Sequence, residues 1–222
     1  MFDKVLNHHI QRHVVGYLLT HEYARFSELR PPKVDTNLFT YHLKLLVKDD
    51  YIKKTDRGYT LSRKGLLFVD RVNASSIVVR TQPKIITMLL IQEGYGKVLL
   101  QKRTKQPYIN TWTLPYGKLH IDDESVLDAA KREANEKLGY NPRQLRHVGD
   151  CYIRVKGGAS IESTTLAHVV RFETDAIQVT DTLRWVEPLD LPALKLAPAV
   201  EQIITRSFFG DKFFFEEFVA NA

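Results

Sequence analysis

The segment over residues 112–140 constrains the fold of this 222-residue chain more than any other. It opens with Trp-Thr-Leu-Pro-Tyr-Gly, whose proline and glycine predict a loop. A helix is predicted over 125–138, and Gly139 follows as its C-terminal cap. Glu133 and Glu136 are three residues apart, so they share a face of that helix. Neighbouring carboxylates repel unless a cation lies between them, and oxygen ligands suit Mg²⁺ or Mn²⁺. The segment therefore predicts a divalent-metal site.

Apolar segments that surround this helix predict a sheet. Strands are expected over 85–92, 97–103, 148–156, 164–172 and 182–187, with a last helix over 199–208. Strands on both sides of single helices indicate a layered domain of α/β or α+β class.

The same segment resembles the Nudix box, which runs Gly, five residues, Glu, seven residues, Arg-Glu-apolar-x-Glu-Glu-x-Gly-apolar. The matching residues are Gly117, Glu124, Arg132, Glu133, Ala134, Glu136, Gly139 and Tyr140, preceded by Trp112, Leu114 and Pro115. The resemblance covers about residues 84–210. It implies a domain of the Nudix (MutT-like) hydrolase superfamily, an α/β/α sandwich with a mixed sheet. Such domains hydrolyse a nucleoside diphosphate linked to another moiety, with the help of a divalent ion.

The resemblance also implies roles for individual side chains. The expected catalytic residues are Glu133, Glu136, Arg132 and Glu124, the metal ligands are Glu133, Glu136 and Glu162, and the substrate-binding residues are Arg103, Tyr108, Trp112 and Gly117. Among these, Arg132 and Glu124 are expected to support the loop beside the metal. For Tyr108 and Trp112, burial in the core is an equally good interpretation, because aromatic side chains serve both purposes.

Two departures from the box concern the metal site. Six residues instead of five separate Gly117 from Glu124, so the loop carries an insertion. The second glutamate of the Glu-Glu pair is Lys137, which replaces an expected carboxylate with a cation. We expect weakened binding of Mg²⁺ or Mn²⁺, unless an acid such as Glu162 compensates. Alternatively, Lys137 turns outward and pairs with Glu133 at i,i+4.

The first third of the chain has a different pattern. Helices are predicted over 5–20 and, briefly, over 27–29, where Pro31-Pro32 ends the second. A third helix begins at Asp35 or Thr36, with an apolar stripe of Leu38, Tyr41/His42, Leu45 and Leu46. A hairpin with strands over 51–55 and 59–61 follows, and Ser62 caps a helix that reaches about residue 72, with Leu66, Leu67 and Val69 as its apolar positions.

This order of elements resembles a winged helix-turn-helix DNA-binding domain. In such domains the third helix enters the major groove and the wing contacts the backbone. By position, the DNA-binding residues are Asn37, Thr40, Tyr41, Lys44 and Arg57. The alternative is a winged helix used for dimerisation or packing, because fold does not fix function.

Charge supports a two-domain organisation. Residues 1–75 carry 13 Lys+Arg and 8 Asp+Glu, a net charge of +5 out of +6 for the whole chain. That asymmetry suggests a polyanion partner for the first part. We expect an α+β chain with a winged helix-turn-helix domain over 1–75, a linker over 76–83 and a Nudix-like domain over 84–222.

Further features concern location and assembly. One cysteine, Cys151, and no signal peptide or membrane-length apolar run predict a cytoplasmic protein without membrane contact. Cys151 is expected in the core rather than as a nucleophile. Six phenylalanines in Ser-Phe-Phe-Gly-Asp-Lys-Phe-Phe-Phe-Glu-Glu-Phe suggest either a cap on the core or the interface of a homodimer.

Two functions remain open at this point. One is a metal-dependent pyrophosphohydrolase acting on a nucleoside diphosphate derivative, joined to a domain that binds double-stranded DNA. The other is a ligand-responsive transcription regulator whose Nudix-like domain binds the nucleotide derivative with little or no hydrolysis. Lys137 favours the second function, whereas Glu124, Arg132, Glu133 and Glu136 favour the first.

Overall fold

The computed structural model describes residues 6–73, 77–79, 82–94, 96–158, 160–208 and 212–221. The chain divides into two compact units, residues 1–81 and 82–222. Each unit buries its own hydrophobic core. Within the described residues, no helix is long and apolar enough to cross a bilayer.

The N-terminal unit follows the predicted order of helices and hairpin. It contains α1 (His9–Thr20), α2 (Phe26–Leu29), α3 (Thr36–Lys48), β1 (Ile52–Thr55), β2 (Gly58–Leu61), α4 (Arg63–Val69), β3 (Val72–Asn73) and β4 (Val78–Val79). The start of the first predicted helix lies outside the described residues. Asp35 caps α3 by accepting hydrogen bonds from the backbone N–H groups of Asn37 and Leu38.

The buried face of α3 differs from the predicted stripe. Phe39, His42, Leu43 and Leu46 are buried. Leu38 is 45% exposed, so the prediction was wrong for this residue, and of the alternative pair Tyr41/His42 it is His42 that is buried, while Tyr41 is 58% exposed. The apolar set at i, i+3, i+4 and i+7 begins at Phe39, which turns Leu38 and Tyr41 out of the core.

The end of this unit also departs from prediction. The side chain of Ser62 accepts a hydrogen bond from the backbone N–H of Gly65 and caps α4, but the helix ends at Val69 and leaves Leu66 and Leu67 exposed. The chain then forms a short antiparallel pair, β3 with β4. Ile77, which lies within the expected linker, is buried in the N-terminal core.

The C-terminal unit is built on one mixed sheet. Its elements are β5 (Lys84–Gln92), β6 (Val98–Lys102), β7 (Trp112–Thr113), β8 (Tyr116–Lys118), α5 (Val126–Leu138), β9 (Arg146–Gly157), β10 (Ser160–Glu173), β11 (Leu183–Val186), a 3₁₀ helix (Pro188–Ala193), α6 (Val200–Phe208) and β12 (Phe214–Asn221). The strand order is β11-β6-β5-β10-β9-β12, with β7 paired to β6 and β8 to β5. The pairs β5–β10 and β9–β12 are parallel and the others antiparallel.

Helices cover both faces of this sheet. On one face α5 buries Ala130 and Ala134 against Leu89 and Val170. On the other face α6 buries Ile203 and Ile204 in a core that also contains Leu90, Leu100 and Val169. The expected α+β class and the mixed sheet of the sandwich are confirmed. Cys151 lies in the second core, and burial raises the pKa of its thiol to about 12, as expected of a packing residue.

The phenylalanine-rich tail forms a strand that the sequence analysis did not predict. Strand β12 pairs in parallel with β9. Phe214 is buried in the core and Phe218 packs against it, whereas Phe213 and Phe215 are more than half exposed. Phe209 lies outside the described residues. The tail thus caps the core with alternate residues, one of the two expected roles.

Candidate active site

Helix α5 has the ends that its sequence predicts. The Ser125 side chain caps the first turn by accepting from the backbone N–H of Asp128, and Gly139 ends the helix with φ +61°. Left-handed backbone at this position favours glycine. Ala129, Ala130 and Ala134 are buried, and such small side chains let the helix lie close to the sheet. This packing fixes the direction of Glu133.

Glu133 lies directly over Gly117 of β8. The glutamate is 4% exposed, and a Cβ on Gly117 would lie 1.6 Å from its carboxyl carbon. Only glycine therefore fits beneath the carboxylate. Arg132 Nη1 donates to Glu133 Oε1 at 2.8 Å, and Lys137 Nζ lies 3.5 Å from Glu133 Oε2. Both oxygens of this buried carboxylate face a cation.

Arg132 holds the loop that carries the inserted residue. Its Nε and Nη2 donate to the two carboxylate oxygens of Asp123 at 2.8 and 2.9 Å, and Nη2 also donates to the Lys118 carbonyl at 3.1 Å. The hydrogen bond from Arg132 lowers the pKa of Asp123 to about 2, and the same bond raises the pKa of Arg132. Sequence reasoning predicted that Arg132 supports the loop but missed Asp123. The available signal was the run Asp122-Asp123-Glu124, in which the insertion obscures which acid meets Arg132.

Glu136 and Glu124 are more open than Glu133. The Glu136 side chain is 56% exposed, and its Oε2 lies 3.6 Å from Arg132 Nη1. Because Arg132 reaches both glutamates, Glu133 and Glu136 share one side of α5. Glu124 is exposed just before the helix cap. Glu162 is exposed at the β9–β10 hairpin, where its carboxylate lies over Gly157.

Lys137 lies near both Tyr116, which lines a cavity, and Glu133, which with Glu136 forms what we call the carboxylate centre. Its ammonium lies 5.9 Å from the centre of the Tyr116 ring, and 34% of its side chain is exposed. It therefore pairs with Glu133, as one of the alternatives expected, and also lies beside Tyr116. An ammonium beside the aromatic wall of a cavity can meet an anionic ligand.

The cavity has a volume of about 310 Å³. Arg103 and Tyr108, both predicted substrate residues, line it together with Lys84, Tyr116, Lys118 and Thr165. Arg103 donates from Nε to the Pro107 carbonyl at 2.8 Å and from Nη1 to the Tyr116 hydroxyl, so its guanidinium is fixed. Sequence reasoning missed Tyr116 and Lys118. Their alternation with Gly117 along β8 was the signal that could have found them.

Two predicted substrate residues lie elsewhere. Trp112 packs against the hydrophobic core, and Arg184 lies 5.4 Å from its ring centre. Its surroundings match the core interpretation. Gly117 forms the floor under Glu133 and does not line the cavity.

The predicted DNA-binding residues lie on one side of α3 and at the turn of the β1–β2 hairpin. Asn37, Tyr41 and Lys44 are exposed, and Thr40 is half-buried. Arg57 is exposed at the turn between β1 and β2, with its guanidinium 4.0 Å from the Tyr23 ring centre. A groove of about 350 Å³ is lined by Lys44 and Thr40 and by two cations that sequence reasoning missed, Lys48 and Lys54.

Comparison with known proteins identifies the C-terminal unit. Among curated proteins, no sequence matches the chain. Similar solved structures include the MutT protein of Bacillus halodurans (19% identity, 61% of this chain, 89% of that chain, TM-score 0.51). They also include the NUDIX domain of Shewanella oneidensis NrtR complexed with ADP ribose (18% identity, 64% of this chain, 96% of that chain, TM-score 0.48). A third is the MutT NUDIX hydrolase of Burkholderia pseudomallei (26% identity, 56% of this chain, 98% of that chain, TM-score 0.47). The NUDIX domain model matches residues 81–207, more than half of the chain. The chain therefore belongs to the Nudix family.

Proposed function

We propose that this protein is a DNA-binding regulator whose Nudix domain senses a nucleoside diphosphate linked to another moiety and hydrolyses it little or not at all. The ion pair between Lys137 Nζ and Glu133 Oε2 carries the proposal. Because Arg132 already donates to Oε1, an ion of Mg²⁺ or Mn²⁺ at Glu133 would compete with the positive charge of Lys137 beside Oε2. A weakened metal site favours ligand binding over turnover.

The residues that line the cavity near Lys137 suit a ligand of this kind. The guanidinium of Arg103 and the ammonium of Lys118 suit phosphate oxygens, because charge-assisted hydrogen bonds are the strong ones. The rings of Tyr108 and Tyr116 suit stacking on a base or sugar. The side chain of Arg103 is held by two hydrogen bonds before any ligand arrives, which lowers the entropic cost of binding.

The N-terminal unit supplies the partner of the sensing domain. Its exposed Asn37, Tyr41, Lys44 and Arg57 support binding of double-stranded DNA, with the cations on phosphates and the amide on a base edge. A ligand that binds the Nudix domain differently in the free and DNA-bound states shifts the affinity for DNA.

Metal-dependent hydrolysis is the second candidate function. It is favoured because Glu133 and Glu136 both contact Arg132 Nη1, which places their carboxylates on the same side of α5. These carboxylates would hold a divalent ion, with Glu162 as a further ligand only if its hairpin carboxylate reaches them. When bound, the ion neutralises charge on the diphosphate. Glu133 or Glu136 would accept the proton of the water that attacks phosphorus, while Arg132 holds the loop and Glu124 supports it.

One experiment separates the two functions. The full-length protein is screened with nucleoside diphosphate derivatives, ADP-ribose among them, with Mg²⁺ or Mn²⁺, following both Tm and product release. A rise in Tm without turnover supports the sensor, and metal-dependent turnover supports the enzyme. Arg103→Ala should abolish the rise in Tm, whereas Arg143→Ala, an exposed arginine outside the cavity, should retain it. If no derivative is bound or hydrolysed, both functions are wrong.

A further inference from the structure

A second group of metal-ligating side chains lies on the α5 face of the sheet, away from the carboxylate centre. His147 Nε2 and His168 Nδ1 each lie 2.7 Å from Asp150 Oδ1. All three ligand atoms lie within 4.8 Å of one another. The side chains are half-buried, with exposed fractions of 28% for His147, 23% for Asp150 and 15% for His168. We propose that His147, Asp150 and His168 form a binding site for a divalent transition metal, Zn²⁺ first.

A β-bulge brings two of these ligands to the same face. His147 and Asp150 are three residues apart on β9, and residues at that spacing in a regular strand point to opposite faces. The β9–β10 register shifts between Val169, paired with Gly149, and Val170, paired with His147. The extra residue, Val148, reverses the alternation, so that both side chains meet His168. Bulges are enriched next to functional sites, where they redirect a side chain.

The ligand chemistry favours a transition metal over Mg²⁺. Two imidazoles and one carboxylate are a ligand set of zinc and of non-haem iron, whereas Mg²⁺ prefers oxygen alone. Zinc bonds of about 2.0–2.1 Å in a tetrahedral site place ligand atoms about 3.3 Å apart. The two imidazole nitrogens would therefore move outward from Asp150 by about 0.6 Å, which side-chain rotation supplies. Three protein ligands leave one position open for water or a small anion.

The surroundings of the cluster fit such a site. Phe213 lies edge-on to His147, with ring centres 5.1 Å apart, and shields one side. Thr87, paired with His168 across β5 and β10, is buried, and its Oγ1 has no hydrogen-bond partner among the described residues. Metal-bound histidines commonly donate the N–H of their second ring nitrogen to an acceptor, and this hydroxyl on the neighbouring strand is not already engaged.

The cluster is separate from the Nudix carboxylates. Pairing across the sheet leads from Gly117 on β8 to Thr87 on β5, then to His168 on β10 and to Asp150 on β9. Three strand spacings place Asp150 about 14 Å from Gly117, over which Glu133 lies. The proposed site can therefore bind metal independently of Lys137.

The test is metal binding by the full-length, chelator-treated protein. We expect the wild type to bind one equivalent of Zn²⁺ in competition with a chromophoric chelator. Each of the variants His168→Ala, His147→Ala and Asp150→Asn should weaken the affinity for Zn²⁺ by more than about 100-fold, so that this equivalent is no longer bound. Co²⁺ in the same site should give the visible absorption of a tetrahedral ion. Zn²⁺ should raise the Tm of the wild type by binding the folded state, and this rise should be lost in the variants.

Two control variants define the outcome. His13→Ala removes an exposed histidine of the N-terminal unit, and Glu136→Gln removes an oxygen from the carboxylate centre. Both variants should still bind one equivalent of Zn²⁺ and should show the same Co²⁺ absorption spectrum as the wild type. Because His147 is the most exposed of the three ligands, His147→Ala should fold normally by circular dichroism and makes the decisive comparison. Unchanged stoichiometry in a folded His147→Ala protein, or no Zn²⁺ bound by the wild type, would show that the cluster is only a hydrogen-bonded triad.

Discussion

Among single residues, Lys137 stands where the Nudix box has a carboxylate, and its ammonium lies 3.5 Å from Glu133. Lys137→Glu removes that cation and restores an oxygen ligand. We expect metal-dependent hydrolysis of a bound nucleoside diphosphate derivative to rise by at least about tenfold, the lower end of what a metal-site partner is worth. Product release in Mn²⁺ measures the rate.

The matched control is Lys131→Glu, which changes the same charge on an exposed position of α5. It should leave the rate unchanged. If Lys137→Glu binds the derivative and still does not hydrolyse it faster, then Lys137 is not what limits the site.

Asp123 gives a second prediction at this scale, through pH. Its pKa is lowered to about 2 from an ordinary value of 3.8 by the hydrogen bond from Arg132. A carboxyl whose pKa is lower in the folded state stabilises the protein above its unfolded pKa, and that contribution is lost as pH falls through the folded value. The difference in Tm between wild type and Asp123→Asn should therefore be constant above about pH 5 and shrink between about pH 4 and 2.

The exposed neighbour Asp122 supplies the control for this titration. Asp122→Asn removes a neighbouring carboxylate that is exposed and has no ion pair among the described residues, so it should leave the Tm close to that of the wild type. A gap between wild type and Asp123→Asn that persists at pH 2 would mean that the loop is held by contacts other than this ion pair.

Among the elements, β12 seals the sheet through alternate residues. Phe214 is 6% exposed and packs over Gly149, where a Cβ would lie 2.4 Å from its ring; Phe215 is 58% exposed. Phe214→Ala should lower the free energy of unfolding of the C-terminal unit by about 3–5 kcal/mol. Phe215→Ala should change it by less than about 0.5 kcal/mol. Urea unfolding followed by tryptophan fluorescence reports on this unit alone, because both tryptophans, Trp112 and Trp185, belong to it. Equal losses in the two variants would contradict the assigned faces of β12.

The elements also show what the sequence could predict. Local signals were sufficient for α5, since Ser125, the alanines and Gly139 specify its ends and buried face within one segment. The strand β12 could not be predicted, because its place depends on pairing with β9, about sixty residues earlier. The β9 bulge was missed for the same reason: nothing in residues 146–150 alone shows that Val148 has no partner on β10.

The site residues also divide into those that the local sequence could predict and those whose place depends on contacts between distant segments. The spacing of Glu133 and Glu136 predicted a shared side of α5, which the common contact with Arg132 matches. The partner of Arg132 and the lining of the cavity depend on which loop folds back onto which strand. Asp123, Tyr116 and Lys118 therefore emerged only from the structure.

For the whole molecule, the structure shows where part of the excess positive charge lies. The surplus of +5 over residues 1–75 includes Lys44, Lys48 and Lys54, which line one groove of the N-terminal unit. The C-terminal unit is near neutral and carries the cavity proposed to bind the nucleoside diphosphate derivative, together with the carboxylates of Glu133 and Glu136. We therefore expect the two kinds of polyanion, DNA and a nucleoside diphosphate derivative, to bind different units. Assembly as a homodimer also stays a prediction, to be checked by sedimentation.

Binding of DNA is the prediction that belongs to the whole chain. Full-length protein should bind double-stranded fragments from its own promoter region at low salt, and the logarithm of the binding constant should fall linearly with the logarithm of salt concentration. Lys44→Ala should reduce the magnitude of that slope by about 1, because one phosphate contact is lost. Lys156→Ala, an exposed lysine of the C-terminal unit, should leave the slope unchanged. Fluorescence anisotropy across a salt series measures both. If no fragment binds at low salt, the proposed regulator function is wrong even where the Nudix domain binds its ligand, and the N-terminal unit serves packing or dimerisation instead.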